Sequence, residues 1–393
     1  MVKNRIIWIV SIIIILLLGI FVIRNNIDDD LDSINKIEDH SFELQLIKEV
    51  ENEENVLISP YSIKIALNML KEGTNGDSLK QINRVVGNNN INIIRNDSVS
   101  MANGVFIKDK YRKEVSNKYI KLLKNDYKAD VIFDSFQGPD RINNWVNDKT
   151  KKMIPKLMDS IDGDFVLALV NALSVDVKWA DPFKCVNTQK EVFYKDDGTQ
   201  INVAMMHKDS NGIYFETDDA KGVILPYKAK KGKQLEMIAI LPNENLKSYI
   251  ELFNDEELRK IDDYEESNRV SLYFPKFSYE YDWKSFKESL QNMGIKDVFD
   301  SGKADLSRMF DGASDYYVSK AIHKTYIDLD EEGTKAAATT GFVISKNAAE
   351  AEDKIIITFN KPFIYIIRDK DSNEFLFYGI VNHPNKWEGK SCE

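Results

Sequence analysis

The sequence predicts a mixed α+β fold built as one large domain. Three observations predict it. Amphipathic helical patterns concentrate in the first third, apolar strand-like runs dominate the remainder, and from residue 34 to Pro384 no internal repeat, low-complexity tract or Gly/Ser/Pro-rich linker marks a boundary. A chain of 393 residues, 43% hydrophobic and 11% aromatic, has ample material for a sizeable core.

The first segment differs in kind. Ile6 to Ile23 is an 18-residue run interrupted only by Ser11 and Gly19, and as a helix it spans roughly 27 Å, close to a bilayer core. Lys3 and Arg5 precede it and Asp28, Asp29 and Asp30 come after it, which places the N-terminus in the cytoplasm and everything after Arg24 outside. The run is longer than a typical signal-peptide core, and Arg24-Asn25-Asn26-Ile27 offers no small-x-small cleavage site. Residues 1–24 therefore read as a retained single-pass anchor at the extracellular face of a membrane, with secretion after signal cleavage as the alternative. Residues 25–33 are a polar, acidic linker, and 34–388 is the folded domain.

Within that domain Ser59 is positioned to cap a helix with Pro60 at its first position; Ile63, Ala66, Leu67 and Leu70 share a face, and Gly73 ends it. A second helix is expected over Asp140–Met153, with Ile142, Trp145, Val146 and Met153 inward. The near-continuous apolar run from Phe165 to Val170 suits a strand covered on both faces, hence a central one. Trp283, Phe286, Leu290 and Met293 repeat at helical spacing as core residues. Lys354–Phe359, Phe363–Arg368 and Phe375–Val381 are three apolar strands, the last two joined by a turn across Asp369–Glu374.

Charge and cysteine content exclude several functions. A net charge of −10 and a pI near 5.2 argue against nucleic acid as a partner. Cys185 and Cys392 fit neither a disulfide framework nor a zinc spacing, so two unpaired thiols are expected, and no metal or cofactor is called for. No Gly-x-Ser-x-Gly elbow occurs, which counts against a Ser-His-Asp hydrolase. Lys228, Lys230, Lys231 and Lys233 form a basic cluster that reads as a solvated hairpin loop.

One stretch fits neither core nor turn. From Glu331 the chain reads Glu-Glu-Gly-Thr-Lys-Ala-Ala-Ala-Thr-Thr-Gly. In extended form Thr334, Ala336, Ala338, Thr340, Phe342 and Ile344 share one face, with no charge or bulky polar group to block its burial in a sheet. On composition alone, an alanine-rich helix or linker is the competing description.

Glu331–Thr340 resembles the hinge of the serpin reactive-centre loop. Other segments resemble serpin motifs in serpin order: Asn55-Val56-Leu57-Ile58-Ser59-Pro60-Tyr61-Ser62-Ile63, Val170-Asn171-Ala172 with Lys178-Trp179, Phe274-Pro275-Lys276-Phe277, Gly294-Ile295 through Ala304-Asp305-Leu306-Ser307, Phe359-Asn360-Lys361-Pro362-Phe363 and Gly379-Ile380-Val381-Asn382-His383-Pro384. The similarity runs over about residues 34–386 and points to a membrane-anchored or secreted member of prokaryotic type.

The resemblance implies three β-sheets, eight to nine helices and an exposed reactive-centre loop over about 331–353. It implies a monomeric suicide-substrate inhibitor, not an enzyme, whose partner is a trypsin-like or elastase-like extracellular serine protease held in a covalent complex. Gly333, Thr334, Ala336, Ala337, Ala338 and Thr339 match the hinge. Lys335 departs, since the family usually has an acidic residue there. Ser59, Ser62, Asn171 and His323 match the polar cluster beneath the opening sheet, and Trp179 the tryptophan near the insertion point. Counting from the hinge places the cut beside Asn347, with Lys346 and Ala348 as neighbours; counting back from Phe359 gives about Ala351. A noninhibitory serpin acting as a binding or carrier module is the alternative. Gly87–Ser100 is short and asparagine-rich where many relatives carry a polysaccharide-binding helix, so no such cofactor is expected.

Overall fold

The computed structural model describes residues 40–51, 54–87, 99–161, 165–229, 234–264, 268–311, 316–334 and 354–389. The chain divides into Met1–His40 and a compact body, Ser41–Glu393. In chain order the body contains α1 (Ser41–Lys48), β1 (Val56–Ile58), α2 (Pro60–Gly73), α3 (Gly76–Val86), β2 (Val99–Lys108), α4 (Asn117–Asp126), β3 (Asp130–Asp134), α5 (Asp140–Lys149), β4 (Leu167–Val175) and β5 (Val177–Lys178). Next come β6 (Gln189–Tyr194), β7 (Gln200–Glu216), β8 (Ala220–Pro226), β9 (Leu235–Pro242), α6 (Leu246–Leu252), α7 (Asp255–Asp262), β10 (Asn268–Pro275), β11 (Phe277–Asp282) and α8 (Phe286–Asn292). The last elements are β12 (Lys324–Leu329), β13 (Gly333–Thr334), β14 (Ile355–Thr358), β15 (Phe363–Asp369) and β16 (Phe375–Val381).

Local chemistry explains where these elements begin. Ser59 caps α2, its Oγ accepting the N–H of Ser62 at 3.2 Å, and Pro60 sits where a missing N–H costs nothing. Asn254 caps α7 through the N–H of Glu257, and Asp255, Glu256 and Glu257 crowd the positive end of that helix. The expected second helix is shorter than its pattern suggested, closing at Lys149, with Ile142 and Val146 buried and Trp145 only partly so.

The strands form sheets of nine, four and three members. The largest runs β1-β16-β15-β9-β8-β7-β10-β14, with β6 also on β7. β7 is 17 residues long and shared: its first part pairs with β6 and β10, its end with β8. β9, β15 and β16 are buried along their whole length and supply the centre of the core. Their packing demands a glycine at 379. Tyr365 lies opposite it in register, and a Cβ there would stand 2.1 Å from the Tyr365 ring carbon Cζ.

The two smaller sheets are β3-β2-β4 and β11-β12-β13-β5. β4 and β5 are separated only by Asp176, so these are two parts of one surface, parted between β4 and the segment leading into β12. β4 is thus an edge among the described residues and not the central strand its apolar run suggested. Its hydrophobicity reflects coverage of its faces, by α2 on one side, while its outer edge borders a cavity.

Two further expectations are corrected. No helix among the described residues is long and apolar enough to cross a membrane; α2, at 14 residues, is only about 21 Å long against a hydrocarbon core of about 30 Å. Ile6–Ile23 lies outside the described residues. The single-pass anchor, the membrane partner and the placement at a membrane face are therefore withdrawn, since hydropathy reports that a segment can partition and not that it spans. Cys185 is not a free thiol but part of a disulfide, and Cys392 is the chain's only other cysteine. The wide separation in sequence misled; Lys386 bridges Val203 and Trp387 N–H bonds Asn202 O beside the β6–β7 hairpin, and Cys392 lies outside the described residues.

Gly379→Ala should force the buried Tyr365 ring from its place and cost about 1–3 kcal/mol, read as a lower urea midpoint of unfolding.

Candidate functional site

The four-stranded sheet ends in a tight turn that positions Gly333 and Thr334. Asp330 Oδ1 accepts the N–H groups of Glu332 (2.8 Å) and Gly333 (3.3 Å), and Asp330 N–H returns to Gly333 O at 3.0 Å. The turn lays β13 between β12 and β5, pairing Thr334 with Leu329 on one side and with Val177 on the other. Only glycine fits at 333, because a Cβ would stand 2.1 Å from Val177 O. Thr334 is 4% exposed, and its Oγ1 meets the Tyr227 hydroxyl at 2.7 Å. Burial pushes the Tyr227 phenol well above its usual range, with the Thr334 bond opposing the shift, so the hydroxyl keeps its proton.

Trp179 frames this turn. Its indole stacks on the Tyr227 ring at 4.5 Å and 8°, its Nε1–H donates to Asp330 O at 3.0 Å, and its backbone N–H donates to Glu332 O at 2.9 Å. Glu331 is held from three sides: Lys276 Nζ lies 2.8 Å from Oε2, Thr188 Oγ1 donates to Oε1 at 2.7 Å, and Phe183 N–H donates to the backbone oxygen at 2.9 Å.

Below the turn the sheet is parted. A cavity of about 380 Å³ is bounded on one side by β4 from Leu167 to Asn171 and on the other by residues 316–324, with Ile63 and Leu67 of α2 beneath. At its floor lies a polar cluster. His323 Nε2 accepts the N–H of Ser59 at 3.0 Å; Ser59 Oγ donates to Leu376 O at 2.7 Å; Ser62 Oγ donates to Asn171 Oδ1; and Asn171 Nδ2 donates to Asn103 Oδ1 at 2.6 Å. Burial among Trp283 and Phe286 pushes the His323 imidazole down to about 3, so at neutral pH it is uncharged and free to accept at Nε2.

Ser59, Ser62, Asn171 and His323 thus meet in one network, while Trp179, Gly333 and Thr334 meet in another at the top of the same sheet. Ala336, Ala337, Ala338 and Thr339, and the scissile window with Lys346, Asn347 and Ala348, lie outside the described residues. Sequence reasoning missed Asn103 and Tyr227. A buried asparagine in the middle of a strand was the available signal for Asn103, but its partner stands 68 residues away. Tyr227 gave none, being one aromatic among many. The rival hydrolase also fails on geometry: Ser271 Oγ and Asp209 Oδ1 approach the same nitrogen of His207, Nε2, at 3.0 and 3.2 Å, so the imidazole is not held between base-orienting acid and nucleophile.

A parted sheet with a two-residue strand begun at its top defines the class, and comparison with known proteins names it. Residues 38–384 match the family model described as Serpin (serine protease inhibitor). An uncharacterized serpin-like protein of Methanosarcina acetivorans is 32% identical over 87% of this chain and 84% of its own. Human antithrombin-III is 30% identical over 88% and 80%, and chicken neuroserpin 29% over 86% and 88%. Among solved structures, the thermophilic serpin tengpin in its native state has a TM-score of 0.78 at 29% identity, covering 88% of this chain and 92% of tengpin. Thyroxine-binding globulin in complex with thyroxine, at 23% identity and a TM-score of 0.77 over 88% and 98%, shares the fold. This chain belongs to the serpin family, which is described as serine protease inhibitors and not as enzymes. Archaeal and vertebrate relatives stand at similar identity, which overturns the expectation of a specifically prokaryotic type.

The depressed histidine makes stability pH-dependent. The unfolded imidazole takes its proton near 6.5 and the folded one only near 3, so between those values the unfolded state binds more protons. The contribution is complete above about pH 7 and is lost as the pH falls, by roughly 2 kcal/mol between pH 6.5 and 5. Urea unfolding at pH 7 and pH 5 should show that decline, and His323→Gln, which keeps an acceptor but takes no proton, should flatten it.

Proposed function

We propose that this serpin is a suicide-substrate inhibitor of serine proteases. The carrying observation is β13: the first hinge residues already form a strand between β12 and β5, and the cavity beneath continues the same line between β4 and residues 316–324. The alternating small and apolar residues after Thr334 match the continuation of that strand.

In this reading the protease's serine hydroxyl adds to the scissile carbonyl within Lys346–Ala351. The new amine terminus departs and an ester joins inhibitor to enzyme. The severed hinge then extends β13 down the cavity, pairing its backbone groups with β12 and β4 and carrying the acylated protease away from its starting position. Trapping succeeds when insertion outruns ester hydrolysis, so it is a matter of rates as much as affinity. The hydroxyl, amide and imidazole groups at the cavity floor supply partners that can be exchanged as the strands part. The disulfide at Cys185 supports an oxidising working compartment. Lys346 at the cut favours a trypsin-like target, whereas Ala348 favours an elastase-like one.

Incubation of the folded body with trypsin-, elastase- and subtilisin-like proteases should yield a complex that survives denaturation, and sequencing the released peptide reads the cut. Thr334→Arg places a guanidinium where Thr334 is now buried, at a cost of several kcal/mol, and should slow insertion by on the order of a hundredfold, leaving cleaved inhibitor in place of complex. Equal trapping by this variant sinks the insertion mechanism; clean cleavage of the parent by every protease favours a noninhibitory carrier.

A further inference from the structure

We infer that Asn75–Gly76 is a site of spontaneous modification, at which the asparagine loses ammonia and becomes aspartate or isoaspartate. The reaction needs no protease and does not depend on inhibition. Asn-Gly occurs three times in the sequence, at 75–76, 103–104 and 211–212. In each pair the glycine nitrogen is unshielded by a side chain, so sequence alone ranks the three together. The fold separates them.

The reaction closes a five-membered ring between the glycine nitrogen and the asparagine Cγ. That nitrogen must be free, and the asparagine Cβ must nearly eclipse it about the Cα–C bond. Since the backbone N and Cβ lie about 120° apart around Cα, closure needs ψ of about −120°. Asn75 has φ −142° and ψ −177°, roughly 60° from closure, whereas a strand residue near +135° is roughly 105° away. Gly76 is the first residue of α3, where an N–H has no partner within the helix, and among the described residues no backbone oxygen accepts it from outside. Both residues are exposed, and the Asn75 side chain makes no capping bond that would hold its amide away.

The other two pairs are locked. Asn103 is 4% exposed; its Nδ2 donates to Tyr127 O at 2.7 Å and its Oδ1 accepts from Asn171, while Gly104 is paired with Asp130 on one side and Val170 on the other. Asn211 is exposed, but it and Gly212 lie in the β7–β10 ladder opposite Arg269 and Asn268. Turning either asparagine toward closure tears strand pairing.

At 75–76 the Gly76 nitrogen bonds Asn75 Cγ, the Cγ–Nδ2 bond breaks, and Nδ2 leaves as ammonia with the former Gly76 amide proton. One water then opens the cyclic imide. Cleavage between Cγ and nitrogen leaves aspartate; cleavage of the original peptide bond leaves isoaspartate, whose main chain runs through Cβ and Cγ and is longer by one methylene. In the unmodified chain the Asn75 carbonyl oxygen accepts Leu79 N–H at 3.1 Å, and Asn75 N–H reaches Asp305 O at 3.0 Å. In isoaspartate that carbonyl becomes a carboxylate off the main chain, so α3 loses its first bond and the corner between α2 and α3 loosens.

The test incubates the full chain, folded and in urea, in warm, mildly alkaline buffer and follows all three pairs by peptide mapping with mass spectrometry. In the folded chain Asn75 should convert on the order of tenfold faster than Asn103 or Asn211; in urea the three rates should fall within severalfold of one another. A folded chain in which Asn103 or Asn211 leads, or in which Asn75 stays intact, overturns the site, and an equal lead for Asn75 in urea overturns the role of the fold. Asn75→Ser has no amide to lose and should abolish the mass change in its peptide; persistence there overturns the assignment. The isoaspartate form, separated by anion exchange on its extra negative charge and verified by fragmentation, should show amide hydrogen exchange quickened severalfold over 75–80 and unchanged in β15 and β16. Asn75→Asp, which has the charge without the added methylene, should exchange as the parent does. Parent-like exchange in the isoaspartate form, or equal loosening in Asn75→Asp, overturns the account of the corner.

Discussion

Gly333 and Thr334 occupy a place in a sheet that a longer strand would fill, and the rest of the site is arranged around that fact. Two residues give only a few backbone hydrogen bonds, too little to order a strand against its entropy, so the turn at Asp330, the Trp179 indole and the Tyr227 hydroxyl together hold it. The requirement at 333 is steric, since Val177 O occupies the space of a side chain. The residues after Thr334 must be small or apolar on one face if the strand is to lengthen, and the sequence meets that condition through Ile344.

The polar cluster at the cavity floor serves the same arrangement from below. A fully apolar seam between α2 and the parted sheet would close more firmly, whereas Ser59, Ser62, Asn171, Asn103 and His323 form bonds that can change partners without leaving a donor stranded. His323 takes part as a neutral acceptor, so its contribution depends on pH, although no carboxylate pairs with it there.

Against these adjustable parts stands a completed body. β9, β15 and β16 are buried throughout; the rings of Phe274, Phe277, Phe359 and Phe363 pack edge to face within it, and Tyr365 lies tilted at 33° against Phe277. A core so closely interlocked yields little, so among the described residues the parted sheet beside the cavity is where room for change lies.

The sequence by itself determined the parts whose causes are local. Ser59 and Pro60 start α2 by capping chemistry, Phe363–Arg368 and Phe375–Val381 declare themselves by apolar runs around a turn, and the alternation after Thr334 is legible because side-chain direction in a strand needs only adjacent residues. Ordered motifs carried the family as well. Only the tertiary structure decided that β4 is an edge beside a cavity, that Asn103 joins Asn171, that Tyr227 receives Thr334, and that Cys185 is oxidised. Each depends on residues far apart in the chain meeting with particular geometry. Periodicity and composition describe how a segment partitions between water and core; they say nothing about which distant segment lies against it.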